Sequence, residues 1–193
     1  MFMEILLLFL RLGLAMIPIS SAYTKLRDLA NHELSIQNYQ IIPDRYAKPA
    51  AKFDAIVEMM VGLLLLVGLF YKVSLVLFIG LIVVYSLAIL INLIRGRTTL
   101  SCGCGGIVGE KPISWKLIFR NLAISIVAVW LLFSATKVGI LDYLFTSTLN
   151  EVYPPLYFIA SLYFGLITVT IFVLIEIKKI NHHFNRLLHR GEI

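Results

Sequence analysis

Charge is scarce in this chain. Only 15% of its 193 residues are Asp, Glu, Lys or Arg, while 60% are hydrophobic and the mean hydropathy is +0.90. Ordinary soluble domains carry about 25% charged and ~45–50% apolar residues, so this balance excludes a soluble single domain. Cysteine is scarcer still, two residues in total, which excludes a disulfide-dense secreted scaffold. Internal repeats and low-complexity tracts are absent from the sequence. A phosphate cradle is excluded as well: the glycine cluster at 103–109 lacks the Walker spacing to a Lys-Ser/Thr pair and follows no strand pattern. The net charge of +6 does not mark a nucleic-acid binder, because the basic residues sit between apolar runs. That arrangement orients membrane helices, and it predicts an all-α, multi-pass membrane protein forming one integral membrane domain over residues 1–193.

A spanning helix needs about 20 mostly apolar residues. Five runs qualify, at roughly 5–23, 55–71, 73–94, 117–136 and 156–177. Each must be helical, because hydrocarbon cannot satisfy exposed backbone groups. The turn around Phe70-Tyr71-Lys72 makes the second and third spans a tight hairpin. The first run resembles a signal peptide only superficially: its n-region holds Glu4 and no cation, and Arg11 interrupts its apolar core. Gly62, Gly68 and Gly80 are candidate points of close helix approach. Tyr71, Tyr85, Trp115, Tyr143 and Tyr157 are candidates for interfacial aromatic belts.

Lys and Arg divide unevenly between the loops. Fourteen of the seventeen fall on one face, in residues 25–52, in 95–120 and in the tail; Lys72 and Lys137 fall on the other, and Arg11 is intramembrane. The bias predicts an N-terminus outside, with the charge-rich loops and C-terminus cytoplasmic. Residues 24–52 form a polar connection in which Leu26, Leu29, Ala30 and Leu34 suit a short interfacial helix, and 178–193 reads as a basic amphipathic tail. His182, His183 and His189 in that tail read as solvated histidines rather than a metal site.

Both cysteines lie in the third connection, Ser101-Cys102-Gly103-Cys104-Gly105-Gly106, in a polar stretch and not in any apolar span. Thiols usually prefer burial, so this placement points to chemistry. A disulfide between positions i and i+2 needs a bent backbone to bring the Cα atoms within ~4.4–6.8 Å. Gly103 supplies the bend, and a strained ring of that kind exchanges readily. Arg95, Arg97, Lys111 and Lys116 flank the pair, and cations favour the thiolate. Three readings are open from the residues alone: thiol–disulfide chemistry at Cys102 and Cys104, a soft-metal site for copper(I), or a glycine-rich hairpin whose cysteines merely pack. A structural subunit of a membrane complex is the corresponding bland function.

Arg11 and Glu58 are intramembrane charges, and each is costly unless paired. By register Glu58 lies ~9 Å and Arg11 ~20 Å from the charge-rich edge, at ~1.5 Å per residue. Either they pair with each other or Glu58 reaches Lys25 or Arg27 at the boundary; the functional alternative is a proton carrier or quinone-site acid. Asp54, one turn before Glu58, reads as an unremarked interfacial residue. Arg120-Asn121 is a polar pair facing the bundle or the cysteine segment.

Taken in order, Arg11-Leu-Gly13, Tyr23-Thr-Lys25-Leu-Arg-Asp28, Asn38-Tyr39, Ile42-Pro43, Glu58 with Gly62, Arg95-Gly96-Arg97, Ser101-Cys-Gly-Cys-Gly-Gly106, Ile113-Ser114 and Arg120-Asn121 resemble the MauE family over roughly residues 5–135. These are redox-associated membrane proteins of methylamine utilisation, related to DoxX-like proteins. The resemblance implies a DoxX-like four-helix bundle plus a fifth transmembrane helix in the bacterial cytoplasmic membrane. It further implies a part in maturing the disulfide-rich small subunit of periplasmic methylamine dehydrogenase, with a thioredoxin-like companion such as MauD. Gly105 stands where many relatives carry Phe. One cysteine pair suits an accessory or half-relay, so enzymatic status stays open. A quinone is compatible with the sequence, and no cofactor or metal is required by it.

Overall fold

The computed structural model describes residues 2–100, 112–134 and 139–145, and in a separate C-terminal unit residues 155, 157, 159, 161–168, 170, 173, 174 and 177. Among these residues the structure is helical. The elements are α1 (Phe2–Arg27), α2 (Leu29–Tyr39), a 3-10 turn at Asp44–Tyr46, α3 (Ala47–Val67), α4 (Tyr71–Ile94), α5 (Trp115–Phe133) and a second 3-10 turn at Leu141–Phe145. Three helices are long and apolar enough to cross a membrane, namely Met3–Arg27, Tyr71–Ile94 and Trp115–Phe133. The fourth, α3, begins eight residues before the expected start at 55 and brings Lys48, Lys52 and Asp54 onto the helix with Glu58. The cysteine segment 101–111 and the tail 178–193 lie outside the described residues.

The four long helices α1, α3, α4 and α5 run antiparallel in succession, up-down-up-down, with the short α2 in the first connection. Near one end of the α1–α3 pair Lys25 meets Asp54, and further along Ile19 meets Gly62. Between α4 and α5, Ser86 meets Asn121 and Tyr71 meets Leu131. This order puts the 28–46 connection and the 95–114 connection at one end of the bundle and the α3–α4 turn at the other. The α3–α4 turn lies at residues 68–70 rather than 70–72: Gly68 (φ 75°) and Phe70 (φ 46°) both adopt left-handed backbone, which ends α3 and restarts the chain as α4.

Gly62 permits the closest helix approach. A Cβ there would stand 2.6 Å from Ile19 Cγ1 and 3.2 Å from the Ala15 carbonyl oxygen, so only hydrogen fits between α1 and α3. Gly80 has no such role, since a Cβ there would meet nothing within 4 Å among the described residues. The core below is made of Leu7, Leu14, Val61, Leu65, Leu75, Phe78 and Leu131, with little exposure at any of them.

The end holding the α3–α4 turn is closed by two polar contacts. Arg11, 2% exposed, donates from one guanidinium nitrogen to the Gly139 carbonyl at 2.7 Å. Asp142 accepts from the backbone N–H groups of Phe70 and Tyr71, both at 2.8 Å, and so caps the start of α4.

Outside, the bundle is apolar. Val73, Val84 and Leu87 on α4 and Phe119, Ile126 and Phe133 on α5 are exposed. An apolar exterior around a core that holds charges inverts the soluble pattern and suits lipid. In the C-terminal unit, residues 161–168 are helical, and Leu162, Tyr163, Leu166 and Ile167 are exposed.

Candidate functional site

Charged groups belonging to three helices converge inside the bundle. Lys25, near the end of α1 and 5% exposed, donates to Asp54 Oδ2 at 2.8 Å and lies 2.8 Å from Glu58 Oε2. Asp54 and Glu58 share a face of α3 because residues four apart stack on a helix. Tyr85 of α4 donates its hydroxyl to Asp54 Oδ1 at 2.5 Å, and the lysine ammonium sits 4.7 Å from the Tyr85 ring centroid. His32 of α2 meets Asp54 Oδ2 through Nε2 at 2.9 Å. Ser21 hydrogen-bonds Glu58. Two carboxylates thus share one ammonium.

Local sequence explains how α2 delivers its histidine. Asp28 caps the helix by accepting from the Asn31 N–H at 3.1 Å. The helix then turns His32, Ser35, Ile36 and Tyr39 toward the bundle, while Leu26 before it and Leu34 on it stay exposed. The expected apolar stripe therefore faces outward, and the inward face carries the chemistry.

The cluster forms one wall of a cavity of about 280 Å³. The other walls are Ile17, Phe78, Ile82, Ile89 and Ile124 from the membrane helices, with Tyr39, Arg120 and Asn121 near the connection end. Burial pushes the Tyr39 hydroxyl up to about 12, which keeps it a neutral group at any physiological pH. Asn121 donates to the Ser86 hydroxyl at 3.1 Å and accepts from Arg120 at 3.2 Å.

The described flanks of the segment bearing Cys102 and Cys104, Leu100 and Ile113, pack with Ile89 of the cavity wall in one apolar cluster. Gln40 closes α2 in left-handed backbone (φ 50°); Arg95 donates to its carbonyl at 3.2 Å, and Arg97 donates to its side-chain oxygen. The Ile113 N–H donates to the Leu100 carbonyl at 2.9 Å, so the two ends of the segment are tied together. Ile113 packs with Ile89 and Leu117, and Tyr39 lies against that cluster. Ile89, a residue of the cavity wall, thus shares one apolar cluster with Ile113 at the base of the cysteine segment.

Of the residues expected to matter, Glu58 lies in the cluster and Arg120 and Asn121 line the cavity, while Arg95 and Arg97 pin the stem. Arg11 lies at the opposite end, against Gly139, so Glu58 is neutralised by Lys25 and not by Arg11. Cys102, Gly103, Cys104, Gly105 and Gly106 fall outside the described residues, as do His182, His183 and His189. Lys25 is one of the two boundary cations expected for Glu58, whereas His32, Asp54 and Tyr85 are the residues that sequence reasoning undervalued. Tyr85 is no belt aromatic but the inner partner of Asp54. The available signal was the Asp54–Glu58 spacing at the head of an apolar run; nothing local marks His32. Among the described residues no group of three His, Cys, Asp or Glu side chains is placed to hold a metal ion.

The fold and this interior define the class: a polytopic helical membrane protein with a charged, cavity-lining cluster inside its bundle. The family described as methylamine utilisation protein MauE matches residues 3–134, and the chain belongs to that family. Curated relatives carry the same description. The Methylamine utilization protein MauE of Paracoccus denitrificans is 30% identical over 120 residues, covering 62% of this chain and 64% of its own length. That of Paracoccus versutus is 30% identical over 160 residues, 81% of this chain and 86% of its own. That of Methylorubrum extorquens is 31% identical over 137 residues, 69% and 74% respectively. The chain thus spans just under two thirds of the first of these relatives. No solved structure matches it.

Proposed function

We propose that this protein is a membrane thiol–disulfide redox component in which Cys102 and Cys104 cycle between dithiol and disulfide. By likeness to the MauE proteins, we assign it to methylamine utilisation, supporting disulfide formation in the small subunit of periplasmic methylamine dehydrogenase. The observation that carries the reading is the pairing of the chain's two cysteines around a glycine, in a segment whose ends are tied by the Ile113–Leu100 hydrogen bond. Arg95 and Arg97 at the stem favour thiolate, the species that exchanges. The protein resides in the bacterial cytoplasmic membrane. Its charge bias assigns the cysteine segment to the cytoplasmic face, opposite a periplasmic client, so exchange with that client runs through a thioredoxin-like companion or another membrane-crossing relay.

The test uses the two cysteines directly. Cells are acid-quenched, free thiols are blocked, disulfides are reduced, and the freed thiols are tagged with a heavy maleimide. A two-tag mass shift in a substantial fraction of the protein is expected. Cys102→Ser and Cys104→Ser should each abolish client maturation while the protein still accumulates in membranes. Normal client disulfides in the double serine variant would sink the reading, and copper copurifying at a fixed ratio and lost in that variant would replace it with metal handling.

A further inference from the structure

We infer that the cavity between α1, α2, α3, α4 and α5 binds the ring of a lipid-soluble quinone, which serves as electron acceptor for the cysteine pair; this rests on the thiol–disulfide reading above. The cavity has the two-ended chemistry such a molecule requires. Its apolar walls, Ile17, Phe78, Ile82 and Ile124, come from helices that face lipid on their outer sides. On its polar side Lys25 and Tyr85 already donate to Asp54, while Arg120, which also lines the cavity, has a buried Nε–H with no hydrogen-bond partner among the described residues, a donor suited to a ring carbonyl. His32 supplies a second observation, on the ring nitrogen that faces away from Asp54. It is 8% exposed and lines the cavity, yet its Nδ1 is buried with no hydrogen-bond partner among the described residues. A buried polar atom left unsatisfied costs ~1–3 kcal/mol; with Nε2 donating to Asp54, Nδ1 is the ring's acceptor, and the hydroxyl of a bound quinol donates to it. At about 280 Å³ the space is near the lower end of small-molecule cavities, ~300–1,000 Å³.

The redox balance leads to the same ligand class. When the Sγ atoms of Cys102 and Cys104 join, two S–H bonds break and two electrons and two protons leave. The chain has no other cysteine to take the electrons. A quinone takes both electrons and two protons, its carbonyls become hydroxyls, and the quinol departs into the bilayer. Exchange with a client or companion dithiol then returns Cys102 and Cys104 to thiols. The two protons released by the thiols balance the two that the quinone takes up. Ile89 lines the cavity and belongs to the same apolar cluster as Ile113 at the stem of the cysteine segment, which puts the acceptor site near that stem.

The experiment is photolabelling of the full chain in lipid nanodiscs with a short-chain azidobenzoquinone. Labelling should saturate, map to peptides containing Ile89 or Asn121, and be displaced by unlabelled short-chain ubiquinone but not by added phospholipid. His32→Ala should raise the concentration of short-chain ubiquinol needed to displace the label about tenfold, the scale of one lost hydrogen bond. Ala88→Phe, which fills the cavity without removing a polar side chain, should abolish labelling in a protein that still elutes as one folded species. Unsaturable labelling, labelling outside the cavity, displacement by phospholipid, or labelling undiminished by Ala88→Phe overturns the proposal. Cys102→Ser/Cys104→Ser separates the two ideas. Saturable labelling in that variant, with the wild-type pair static in cells, keeps the site and removes the redox reading; a cycling pair without labelling does the reverse.

Discussion

Lys25 Nζ lies 2.8 Å from Glu58 Oε2, across the α1–α3 interface and among side chains almost wholly removed from solvent. The intramembrane acid is therefore neutralised from the connection end of the bundle. The same ammonium also holds Asp54, which makes the lysine the pivot of the cluster.

Replacing that pivot is expected to be the most damaging single change. Lys25→Met strands two carboxylates, and breaking a buried pair by removing one partner costs ~3–5 kcal/mol in soluble proteins. Membrane accumulation should fall steeply and thermal stability in detergent with it. Glu58→Gln, which keeps a hydrogen-bonding side chain, should be far milder. The double variant should recover part of the loss, measured as a coupling energy in a double-mutant cycle.

Gly62 and Gly80 form a matched pair of probes. Gly62→Val drives a side chain into Ile19 at 2.6 Å and into backbone beyond it, so α1 and α3 must separate. A drop in unfolding temperature and exposure to protease are expected. Gly80→Ala meets open space and should leave both unchanged; equal effects at the two positions would refute the packing described.

Asp142→Ala should loosen the far end of the bundle. It removes the acceptor for the Phe70 and Tyr71 N–H groups, and losing an N-terminal cap costs ~0.5–2 kcal/mol. Asp142→Asn retains one acceptor and should lose less. Hydrogen exchange at the first turn of α4 would show the difference.

Topology is open to direct labelling. In intact cells Cys102 and Cys104 should resist a membrane-impermeant maleimide and react after permeabilisation, because the stem that carries them leaves the charge-rich end. Labelling from outside would place the pair with a periplasmic client and set the charge rule aside for this chain.

The membrane class, the helical fold and the antiparallel hairpins were determined by the sequence, because hydrocarbon leaves a spanning backbone no alternative to the helix and short connections force neighbours to reverse. The paired cysteines and their basic neighbours were equally plain, since a motif contiguous in the chain needs no folding to be seen. Partner choice was not legible. Glu58 had Lys25, Arg27 and Arg11 as candidate cations, and only the crossing of α1 and α3 at Gly62 decides which one reaches it. His32 and Asp54 looked like polar residues of a connection and a helix start. They become the wall of a cavity because α2 folds back on α3 and turns its polar side inward, a contact between separate helices that no local pattern records.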